Sequence, residues 1–74
     1  SSQNGGASRE SGTVKWFNPG KGFGFITREN GEEIFVHFRS LDKSSRRLAA
    51  GLQVEFDINH SEKGPEAIDV VVVN

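Results

Sequence analysis

The chain has 74 residues, no cysteine and a formal net charge of −1. That length allows one small domain with a modest core. The composition excludes disulfides and thiolate metal sites and argues against a duplex binder coated in positive charge. The longest apolar run, Val70 to Val73, is too short for a membrane span, and nothing reads as a secretory signal, so a cytoplasmic protein is expected.

In chain order, residues 1–10 lack periodicity and contain Gly5-Gly6, which reads as a flexible N-terminal tail before a domain over 11–74. Gly12 to Phe17 is β-branched and aromatic, and Asn18-Pro19-Gly20 ends it, so a first strand is predicted there. Phe23 to Thr27 is the second strand, Asn30-Gly31 marks a hairpin turn, and Glu33 to Phe38 is the third. Ser40 to Ala50 has no apolar stripe and reads as a long loop closed by Gly51. Gln53 to Asn59 alternates as a fourth strand, Lys63-Gly64-Pro65 is a turn, and Ala67 to Val73 is the fifth strand.

Five short strands with a long 3-4 connection fit an all-β, five-stranded antiparallel Greek-key barrel of the OB type. Val14, Ile26, Ile34, Val36, Val54, Phe56, Ile58, Ile68 and Val70 suffice for its core. Residues two apart in a strand share a face. Phe23 and Phe25 therefore stand together, as do Phe35 and His37, and these rings are surplus to the core. Gly22 and Gly24 then face inward. A patch of flat rings beside Lys15 and Lys21 suits unpaired bases and their phosphates. The reversed parity would make these rings the core instead. Strict alternation also puts Trp16 with Val14, and Phe38 with Val36, on the core face. Only a bulge or strong twist would bring Trp16 to the patch.

The charge distribution is uneven. Arg39, Lys43, Arg46 and Arg47 face one acid, Asp42, whereas after Leu52 five acids face Lys63 alone. One edge is basic and another acidic, an asymmetry that can orient a polyanion.

With Gly12-Thr13-Val14-Lys15-Trp16-Phe17-Asn18, Lys21-Gly22-Phe23-Gly24-Phe25-Ile26, Phe35-Val36-His37-Phe38 and Lys63-Gly64-Pro65, the chain resembles the bacterial cold-shock proteins and the cold-shock domain of their eukaryotic relatives. The resemblance spans about Ser11 to Val73. It implies an OB-type barrel that binds single-stranded RNA and DNA, often as an RNA chaperone that melts weak secondary structure. It implies stacking roles for Trp16, Phe17, Phe23, Phe25, Phe35, His37 and Phe38. Lys15, Lys21 and Lys63 map to positions near the backbone or base edges. The resemblance thus places Trp16 and Phe38 on the binding face, against strict alternation. Relatives often carry an aromatic in the 3-4 loop; here Arg46 and Arg47 stand in it and are candidate phosphate contacts. After Pro65, Glu66 and Asp69 replace two amides of the family pattern, and a carboxylate only accepts hydrogen bonds.

No catalytic constellation is present. His37 and His60 lack a nucleophile or carboxylate partner at motif spacing, and two histidines without cysteine give no zinc site. No cofactor, membrane partner or small-molecule substrate is expected, and a monomer is. Base preference should be mild and pyrimidine-leaning, because stacking reads every π-face. The alternative is a small barrel that docks a protein through its exposed aromatic patch.

Overall fold

The computed structural model describes residues 9–41 and 47–73. Five strands follow in order: β1 (Glu10–Asn18), β2 (Phe23–Arg28), β3 (Glu33–His37), β4 (Gln53–Ser61) and β5 (Gly64–Val72). They close into a barrel in the order β1-β2-β3-β5-β4, the Greek-key closure expected from the strand count. Four junctions are antiparallel, and the β3–β5 junction is a short parallel one. A one-turn 3-10 helix, Phe38–Ser40, ends the third strand one residue earlier than expected. Residues 42–46, in the middle of the 3-4 connection, lie outside the described residues.

The N-terminal boundary differs from the sequence reading. Arg9 and Glu10, assigned to the tail, are held by the barrel. Glu10 is paired opposite Phe56 in β4 and ion-paired to Arg28. The Arg9 guanidinium donates to Asp57 and to the carbonyls of Glu55 and Asp69. The Lys63-Gly64-Pro65 turn also tightens to Glu62-Lys63, because Gly64 and Pro65 already belong to β5.

The buried core holds Val14, Ile26, Ile34, Val36, Val54, Phe56 and Val70, all expected, together with Leu48 and Ala67. Ile58 and Ile68 were expected there and are only partly buried. On β5 the cause is local. Asp69 takes a left-handed φ of 52°. The β4 pairing passes from Glu55↔Val71 to Asp57↔Ile68, so β5 carries one extra residue there. That bulge reverses the parity of the strand and turns Ala67 and Val70, three apart, to the same inner side. Leu48 comes from an irregular segment with no periodicity to announce it.

A second bulge decides the site. Val14 pairs with Ile26, but Trp16 pairs with Phe25, leaving Lys15 as the extra residue on β1. Val14 therefore points inward, and Trp16, two residues on, points outward. Phe17 then lies opposite Gly24 and packs against the core. Only glycine fits at position 24, since a Cβ there would lie 2.2 Å from the Trp16 carbonyl oxygen and 2.7 Å from the Phe17 Cα.

Candidate nucleic-acid interface

The β2–β3 register sets Phe25 opposite Phe35 and Phe23 opposite His37. With Ile26, Ile34 and Val36 sealed inside, all four of these side chains fall on the outer face. The β1 bulge adds Trp16 to them. Trp16, Phe23, Phe25 and Phe35 form a closed circuit of four rings. Trp16 lies 6.0 Å from Phe23 and 5.5 Å from Phe25, and Phe35 lies 5.8 Å from each of those two phenylalanines. Such centroid distances, at tilted or edge-on angles, are those of favourable aromatic pairs. Two of the four contacts are T-shaped and two are tilted, so the rings brace one another on the outer face.

His37 and Phe38 form a second group, with centroids 4.9 Å apart. His37 caps the 3-10 turn, its Nδ1 accepting from the Arg39 N–H at 3.2 Å. That bond fixes the ring's orientation and assigns Nδ1 as its acceptor side. Phe38 leaves the strand direction at this turn, which frees it from the inward parity that alternation gives it. Its ring lies over Gly22, where a Cβ would come within 2.8 Å of Cδ1, and it is 58% exposed. Gly22 is not an inward strand residue as expected. It sits in the 18–22 turn at φ 81°, a conformation glycine adopts freely. The turn is tied by the Gly22 N–H to the Asn18 carbonyl at 2.7 Å and by the Phe38 N–H to the Gly22 carbonyl at 2.8 Å.

The cations divide into two kinds. Lys15 is ion-paired to Glu33 on the outer surface. Lys21, Arg39, Arg47 and Lys63 are exposed and have no ion pair among the described residues. Away from this face, the Arg28 guanidinium is held above its ordinary pKa, first by its hydrogen bond to Glu10. Phe17 does not join the rings: it is half-buried against the core. Arg46 lies outside the described residues.

Residues 10–73 match the family model described as "'Cold-shock' DNA-binding domain". The chain belongs to the cold-shock domain family. It is 52% identical over 61 residues to "Cold shock-like protein CspC" of Bacillus cereus, covering 81% of this chain and 94% of that protein. It is 48% identical over 68 residues to "Major cold shock protein CspA" of Pseudomonas aeruginosa, covering 90% of this chain and 99% of that one. Among solved structures, "drosophila Unr CSD456" superposes with a TM-score of 0.77 at 30% identity, over 93% of this chain and 28% of that one. Cold-shock domains are non-enzymatic nucleic-acid binders, and this chain is one of them.

Beside the rings of this cold-shock domain runs an open groove between β3 and the β4–β5 turn. Phe25, Phe35, His37, Arg39, Lys63 and Glu66 are among its walls. The sequence reading counted Arg39 only as part of a basic edge. Its signal was available, since a base two residues after His37 must lie close to that ring. Glu33 was missed as the partner of Lys15, because cross-barrel pairing depends on a bulge that no sequence rule locates.

Proposed function

We propose that this cold-shock domain binds single-stranded RNA and DNA by stacking bases on Trp16, Phe23, Phe25, Phe35, His37 and Phe38. Lys21, Arg39, Arg47 and Lys63 attract the phosphates. The observation that carries this reading is the four-ring circuit on an outer face, beside a groove where Arg39 and Lys63 stand without an ion pair among the described residues. A patch built to dock an apolar protein surface would not need free cations around it, whereas a polyanion does. Phe17 acts in this reading from below, as the support of Gly24 and β1.

The reading extends to melting weak secondary structure. Each stacked base contributes about 1–3 kcal/mol. Duplex stacking supplies about 1.4 kcal/mol per step. A site that stacks several bases therefore outcompetes a short or mismatched hairpin and leaves a long helix intact. Titrating an oligothymidine against Trp16 fluorescence, beside its duplex with oligoadenine, tests the central statement. Quenching by the single strand, with much weaker binding of the duplex, is expected. Equal affinity for both would overturn the reading, because paired bases cannot reach the rings.

A further inference from the structure

On β5, Ala67 turns into the barrel and Glu66 turns outward. The β3–β5 register sets Glu66 directly beside Phe35, and both line the groove. Neighbouring strands lie about 4.8 Å apart. A base lying flat on Phe35 therefore presents its edge within reach of the Glu66 carboxylate.

Three carboxylates line this groove, and their states differ. Glu33 is taken by Lys15. Glu62 stands exposed at the β4–β5 turn. Glu66 is half-buried, and its carboxylate has no hydrogen bond or ion pair among the described residues. A carboxylate offers two acceptor oxygens and no donor. Guanine alone among the bases presents two adjacent donors, N1–H and the N2 amine, on its Watson–Crick edge. Thymine and uracil present one N–H between two carbonyl oxygens, which a carboxylate repels. Adenine and cytosine present one amine beside an acceptor nitrogen.

We propose that Glu66 makes the Phe35 subsite select guanine. The inference rests on the stacking reading above and replaces, at this one subsite, the pyrimidine lean expected from stacking alone. Arg39 and Lys63, on the same groove, hold the phosphates that Glu66 by itself would repel.

The test uses a hexathymidine and six variants, each with one guanine at a different position, titrated by Trp16 fluorescence at fixed salt. At one position guanine should tighten binding about five- to tenfold, the lower range for a bidentate base contact. Inosine there, lacking the N2 amine, should lose most of that gain, while 7-deazaguanine should keep it. Glu66→Gln should abolish the gain and tighten hexathymidine, because a carboxamide offers the donor and acceptor that thymine matches. No guanine preference at any position, or a preference that survives Glu66→Gln, would overturn the inference while leaving single-strand binding intact. Failure of every oligonucleotide to bind would overturn the functional reading and this inference with it.

Discussion

Phe25 and Ile26 are chain neighbours, yet Ile26 is sealed in the barrel and Phe25 stays half-exposed. The same holds for Phe35 and Val36 on the facing strand. The inner row must fill a small closed volume, where a lost methylene leaves a cavity. The outer row carries more apolar surface than folding requires and pays none of it into the core. One ribbon thus separates stability from recognition by parity alone. Substitutions on the two rows should fail in different assays.

The largest effect is expected at the point where the rows meet. Gly24→Ala drives a Cβ against the Trp16 carbonyl and the Phe17 Cα, both backbone atoms with no rotamer to yield. A loss of about 3 kcal/mol or more is expected, which lowers the melting temperature by more than about 12 °C in a domain of this size. A melt unchanged within a few degrees would show that the β1 bulge is soft and that its register is not fixed. Next, Ile26→Ala should cost about 2–5 kcal/mol through its cavity, read as a lower denaturant midpoint. Its affinity for single strands, measured where it remains folded, should hold.

The outer row should behave in the opposite way. Phe35→Ala is expected to weaken oligothymidine binding by about 1–3 kcal/mol with the denaturant midpoint nearly unchanged. Unfolding without a separate binding defect would place Phe35 in the core and collapse the comparison.

The same parity rule sets how far the sequence alone reaches. The rule held wherever a strand stayed regular. It separated Ile26 from Phe25 and Val36 from Phe35, and it supplied most of the core. It failed at two residues where the chain inserts an extra position, Lys15 and Asp69. A bulge costs little and leaves no compositional mark when the inserted residue is an ordinary Lys or Asp. Alternation alone therefore puts Trp16 on the inner side, whereas it is exposed among the outer rings, and puts Ile68 in the core, where it is only partly buried. Phe38 escaped parity for a third reason, because a 3-10 turn begins where alternation assumes a strand. Leu48 sits in a segment without period, so its burial depends wholly on how the barrel closes around it.

The smallest expected effect concerns the edge between the rows, where Lys15 is held by Glu33. Both side chains are about half exposed, so the pair contributes at most about 1 kcal/mol to stability. Its consequence is for binding. Lys15 is the bulged residue beside Trp16, so a strand stacked on Trp16 carries its phosphates past this ammonium. In the free protein that charge is already neutralised, and each phosphate that takes Lys15 must first displace Glu33. Glu33→Gln removes the competitor and leaves the cation. Single-strand affinity should then rise a few-fold at low salt, and the slope of log affinity against log salt should steepen by about 0.7, the increment for one more neutralised phosphate. Lys15→Gln should move the slope the other way, or leave it alone if Glu33 keeps the lysine out of the complex. A Glu33→Gln slope equal to that of the unaltered protein would mean that the incoming strand already frees Lys15, and that the pair orients the lysine without restraining it.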